Sequence, residues 1–164
     1  MRRTRFGALG VVGLVLVLVC SACVSTVPKV DLQRYLGLWY QPLGYPQPFT
    51  AGLVGITAEY GLNPDGTVSV HNRGYRGNCS GPVSDIQGTA TVTNPPSNSK
   101  LTVVFPSVPI TQYVKGQYWI IGLDRQYRWA VVSDPLKVSL FVLSRMFAPR
   151  EPESRATPTE VNPT

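Results

Sequence analysis

The sequence predicts an all-β fold of eight short antiparallel strands. Three observations carry this reading. Runs rich in Val, Ile, Thr, Tyr and Trp recur about every ten residues, separated by turn residues. No ten-residue window carries an apolar stripe at helical period. The chain holds 15 Gly and 15 Pro in 164 residues, so turns are frequent and long helices are disfavoured.

The runs place strands near 38–45, 55–62, 67–74, 84–93, 100–106, 113–122, 127–133 and 138–145. Asn63-Pro64-Asp65-Gly66 is a hairpin turn between the second and third, where Pro presets one turn angle and Gly supplies positive φ. Residues 94–99 and 133–135 read as loops. Ahead of the first strand, Asp31-Leu32-Gln33-Arg34-Tyr35-Leu36 reads as one helical turn with Asp31 as N-cap. Strands so short and evenly spaced form a sandwich or a barrel. The length favours one domain.

The first 22 residues read as an export signal. Arg2, Arg3 and Arg5 precede an apolar run, Ala8 to Val19, that is too short to span a bilayer. Cys23 follows Ser21 and Ala22, the small residues that a lipoprotein signal peptidase requires before its cut, so Cys23 is the expected lipidation site. Residues 23–30 read as a tether, 31–148 as the barrel, and 149–164, with four Pro and almost nothing apolar, as a disordered tail. Such a protein is exported and lipid-anchored, at an outer membrane or at the outer face of a cytoplasmic membrane. Cleavage removes Cys20 and lipidation blocks Cys23, leaving Cys79 as an unpaired thiol; without lipidation, a Cys23–Cys79 disulfide is the alternative.

Charge argues against nucleic acid. The chain carries 15 basic and 9 acidic residues, net +6, but three of the arginines lie in the signal, and no stripe of Lys or Arg remains. Sites of chemistry are also scarce. The single histidine, His71, points outward on its strand, and no Cys/His cluster suggests a metal. The chain reads as a non-enzyme with no cofactor. Its oligomeric state is left open.

Alternation along strands shows which side chains share a face. Leu101, Val103 and Phe105 share one, as do Tyr118 and Ile120, Val68 and Val70, and Phe141 and Leu143. Tyr127, Trp129 and Val131 are assigned to the same inward set, and Ile86, Gly88 and Ala90 leave room beside the aromatics. Eight strands enclose a volume that side chains fill or that holds one small ligand. Two readings therefore stand: an apolar ligand site lined by Tyr60, Val70, Phe105, Tyr118, Trp129 and Phe141, or a filled core made of the same residues.

Several segments together resemble bacterial lipocalins of the outer-membrane-lipoprotein branch. Gly37-Leu38-Trp39 matches the Gly-x-Trp motif of that family, Tyr60 to Asn72 resembles its second hairpin, and Ile86-Gln87-Gly88-Thr89-Ala90 its fourth strand. Leu123 to Val132 and Leu143-Ser144-Arg145 are similar to its two later conserved segments. The resemblance implies an eight-stranded up-and-down barrel. It implies that Trp39 plugs the closed end with Arg145 across its ring, and that Gly37, Asp124 and Tyr127 belong to the same structural motif. It implies binding, storage or carriage of a small hydrophobic ligand such as palmitate or another fatty acid, a lysophospholipid or an isoprenoid. The alternative is an envelope interaction protein with a filled barrel. The chain departs from the family pattern in two ways: the usual C-terminal helix is replaced by a short Pro-rich stretch, and the first long loop has no cysteine to pair with Cys79.

Overall fold

A computed structural model describes residues 24–146, the side chains of residues 111 and 112 aside. The elements run α1 (Leu32–Tyr35), β1 (Gly37–Gly44), β2 (Leu53–Leu62), β3 (Val68–Arg76), β4 (Val83–Val92), β5 (Lys100–Val104), a 3-10 turn (Pro109–Gln112), β6 (Gly116–Leu123), β7 (Trp129–Ser133) and β8 (Leu140–Ser144). Each strand pairs antiparallel with the next, and β8 returns to β1, so the sheet closes on itself. Closure leaves no unpaired edge. All eight expected strands are present, with ends shifted by a few residues. The largest shift is at β6, expected from 113 and observed from 116, because the chain is still completing the turn begun at Pro109 (Val114 N–H donates to the Ile110 carbonyl, 2.8 Å).

Up-and-down connectivity sorts the connections into two ends. The turns after β2, β4 and β6, with α1, make one end. The turns after β1, β3, β5 and β7 make the other. The first end is closed. Asp31 caps α1, its carboxylate accepting from the Arg34 N–H at 3.3 Å. The helix lays Tyr35 and Leu36 across the barrel floor. Beneath them lies Trp39, fully buried, whose indole N–H donates to the Tyr35 carbonyl at 2.8 Å.

Residues 24–30, expected as a tether, are docked instead. Val27 N–H donates to the Ile120 carbonyl (2.9 Å) and Val30 N–H to the Ser97 carbonyl (2.8 Å). Val30 is wholly buried. Two apolar side chains and two hydrogen-bonded amides make this segment part of the wall; a solvated tether would leave both valines in water. The signal (1–22), Cys23, the tail (149–164) and the expected loss of a C-terminal helix all lie outside the described residues.

One expected face is wrong. Trp129 and Val131 do not point inward, and Tyr127 packs against the core from the closed-end turn without lining the cavity. The side chains buried on β7 are Ala130 and Val132, while Trp129 is 44% exposed on the outer wall, near Gly122. The cause is the turn before the strand. Tyr127 adopts left-handed backbone (φ +61°), which ends the alternation that the apolar pattern suggests. The strand then starts one residue out of phase, and that puts every side chain on the opposite face.

Candidate ligand-binding site

The barrel encloses a cavity of about 570 Å³ that runs from α1 to the open end. This lies within the size range of small-molecule sites. Its walls are mostly apolar: Val68 and Val70 from β3, Ile86 and Ala90 from β4, Leu101 and Val103 from β5, Phe141 and Leu143 from β8. Each comes from the inward set of an alternating strand. Polar groups gather near the mouth, among them Gln41, Gln47, Asn72, Arg73 and Gln117.

Of the six residues expected to contact ligand, Tyr60, Val70, Phe105, Tyr118 and Phe141 line the cavity. Trp129 does not, because of the phase shift at Tyr127. The expected room at Gly88 is also taken. A β-carbon there would come within 2.6 Å of the Phe105 ring, so Phe105 lies against the β4 backbone where Gly88 has no side chain. The free volume is instead provided where Ala90 and the valines leave the wall thin.

The floor is a cluster of three tyrosines. Tyr118 Oη lies 2.8 Å from Tyr35 Oη and 3.0 Å from Tyr60 Oη. The Tyr35 and Tyr60 rings are 5.8 Å apart, and Tyr60 and Tyr118 meet edge to face at 6.0 Å. Burial pushes all three hydroxyls above their ordinary pKa; Tyr60 reaches about 12, with the Tyr118 hydrogen bond and the Arg145 charge acting weakly against burial. All three are therefore neutral donors at any physiological pH. Tyr35 was not foreseen as a site residue. Its only local signal is its place in a capped helical turn four residues before Trp39, which says nothing of the side chain's direction once the turn is folded over the barrel.

Below the floor the expected motif residues converge. The Arg145 guanidinium stacks 3.9 Å from the centre of the Trp39 ring. It also donates to the carbonyls of Leu38 (2.8 Å), Leu36 (2.6 Å), Arg34 (3.0 Å) and Tyr35 (3.1 Å). Gly37 sits at φ +88°, and a β-carbon there would press on the guanidinium at 3.3 Å. The Asp31 N–H donates to the Tyr127 hydroxyl (2.8 Å), and Arg34 lies over the Tyr127 ring at 4.2 Å. Asp124 accepts from Arg128 Nε at 2.7 Å, which holds its carboxyl down to about 2.

Away from the barrel interior, His71 pairs loosely with Asp85 at 3.4 Å and Cys79 is an exposed free thiol. Among the described residues, no three His, Cys, Asp or Glu side chains gather as a metal site would require.

A closed eight-stranded barrel, an arginine-backed tryptophan at one end and an apolar cavity open at the other agree with what comparison with known proteins finds. The family described as "Lipocalin-like domain" matches residues 30–159. The chain is a lipocalin. It is 36% identical over 135 residues to the outer membrane lipoprotein Blc of Escherichia coli, covering 79% of this chain and 73% of that protein. The Blc protein of Vibrio cholerae is 36% identical over 123 residues, covering 74% of this chain and 68% of its own. This places the lipocalin in the bacterial branch that Blc represents, among binding proteins rather than enzymes. Among solved structures, the cockroach allergen Per a 4 superposes with a TM-score of 0.57 at 15% identity, covering 76% of this chain and 74% of that one, which supports the fold.

Proposed function

We propose that this lipocalin binds a small hydrophobic molecule of fatty-acid or lysophospholipid type in its barrel, outside the cytoplasm, while a lipidated Cys23 holds it to a membrane. The cavity of about 570 Å³ carries the reading. Its walls are mostly apolar and the tyrosine cluster at its floor is neutral, as the hydrocarbon chain of such a guest requires. Each methylene moved from water to such a wall contributes about 0.8 kcal/mol before the costs of binding are subtracted. The open volume also speaks against the alternative of a filled barrel acting as an envelope scaffold.

Anchoring rests on the apolar run before Cys23, on the small residues Ser21 and Ala22, and on relatives named outer membrane lipoproteins. On this reading residues 1–22 are removed.

Delipidated protein titrated with the fluorescent probe N-phenyl-1-naphthylamine, then with palmitate or lysophosphatidylcholine as competitor, tests the binding reading. Saturable uptake of the probe and its displacement by one of the lipids are expected; no uptake of any of the three sinks it. Mass spectrometry of the mature N-terminus tests the anchor: a diacyl or triacyl mass on Cys23 is expected, and an unmodified Cys23 removes it.

A further inference from the structure

The tyrosine floor has one hydrogen-bond donor too many. Three hydroxyls carry three protons, and the cluster makes only two hydrogen bonds, Tyr35 to Tyr118 and Tyr118 to Tyr60. Whichever way the chain of bonds runs, one O–H is left over. If it runs from Tyr35 towards Tyr60, the spare proton is on Tyr60. If it runs the other way, the spare is on Tyr35, and if both outer hydroxyls donate inward, it is on Tyr118. All three residues line the cavity, and among the described residues none of the three hydroxyls has another hydrogen-bond acceptor.

A second observation gives the charge preference of the same spot. Arg145 lies just under the floor, and its hydrogen bonds go to four neutral carbonyls. Among the described residues, the ion pairs are His71 with Asp85 and Arg128 with Asp124, so no carboxylate neutralises Arg145. Its field reaches the Tyr35 and Tyr60 hydroxyls. The floor therefore offers one proton donor in a positive field. It favours an oxygen acceptor, neutral or anionic, and repels an amine. A phosphodiester stays ionised and needs several strong donors to leave water, whereas a carboxyl group can take up a proton from solvent on burial and be held by the single donor the floor has to give.

We infer that the tyrosine floor is the head-group site of this lipocalin, and that it takes the carboxyl end of a long-chain fatty acid, which enters head first with its tail towards the mouth. The inference rests on the fatty-acid reading above and narrows it. A lysophospholipid, by contrast, keeps its head at the mouth.

The test exploits the proton count. Any single Tyr→Phe change still leaves at least one spare O–H, so Tyr35→Phe, Tyr60→Phe and Tyr118→Phe each keep palmitate affinity within about threefold. The triple Phe variant has no donor and loses about tenfold, the size of one hydrogen bond. Circular dichroism and thermal unfolding confirm that the triple variant is folded before its palmitate affinity is read. In wild-type protein, the carboxyl ¹³C signal of [1-¹³C]palmitate stays fixed between about pH 5 and 8, because the group is shielded from solvent; this readout holds even if the triple variant fails to fold. Equal palmitate affinity in the triple variant, or a carboxyl signal titrating like the free acid, overturns the orientation while leaving apolar binding intact. Failure of wild type to bind either palmitate or the naphthylamine removes the proposed function and this site together.

Discussion

The two ends of the barrel are built on opposite principles. At the closed end nearly every polar group is tied: Arg145 to four carbonyls, Trp39 to the Tyr35 carbonyl, Tyr127 to Asp31, Asp124 to Arg128, Val30 to Ser97. At the open end the connections turn large apolar side chains outward. Tyr113 is 85% exposed and Leu136 78%, with Phe49 and Val138 exposed beside the mouth. Yet an open-end turn is not loosely made. The Asp134 carboxylate accepts from the Leu136 N–H at 2.7 Å and from the Ser139 N–H and hydroxyl at 2.6 Å each. The difference teaches where stability and binding reside. Substitutions of the tied groups at the closed end are felt in stability, and those of the exposed apolar side chains at the mouth leave stability alone.

The largest effect is expected at Trp39. Trp39→Ala empties a fully buried site, removes the bond to Tyr35 and takes the ring away from Arg145, so chemical denaturation should show a loss of about 3–5 kcal/mol. A loss below about 1 kcal/mol would erase the contrast between the ends. Arg145→Met comes next. It leaves four carbonyls without their shared donor, and about 2 kcal/mol is expected by the same measurement, less than for Trp39 because water reaches part of this site.

Acid sharpens the comparison. Asp124 titrates near 2 when folded, chiefly because Arg128 hydrogen-bonds to it, and near 3.9 in an unfolded chain. A depressed carboxyl stabilises the fold above its unfolded value, and that contribution fades as pH falls towards 2. Wild type should therefore lose more stability between pH 4 and 2 than Asp124→Asn does; parallel curves would show that this turn adds nothing. The smallest effects belong to exposed side chains. Leu136→Ser should change stability by less than about 0.5 kcal/mol. Trp129→Phe should leave the affinity for N-phenyl-1-naphthylamine unchanged, and a several-fold loss would put Trp129 back in the site.

Much of the architecture was legible because it is local. Strand number, the Asn63–Gly66 hairpin and the Asp31 cap depend on neighbouring residues alone, and each is where the pattern places it. Val70, Phe105, Tyr118 and Phe141 could be assigned inward for the same reason, each lying in an unbroken alternating run. Trp129 could not. Its assignment was counted through Tyr127, whose left-handed backbone has no signature in the apolar pattern. Tyr35 was hidden for a different reason, since a helical turn has no inward face until a barrel lies beneath it.

By itself, the sequence determined the strands and the turns between them, because hydrophobic period and turn chemistry act over a few residues; the barrel order and the pairing of Trp39 with Arg145 were legible only through the resemblance to lipocalins. Only the tertiary structure decided which way β7 faces, how Phe105 fills the space at Gly88, and that Tyr35, Tyr60 and Tyr118 share a floor. These last depend on the phase in which distant segments meet, and closure of the barrel sets that phase.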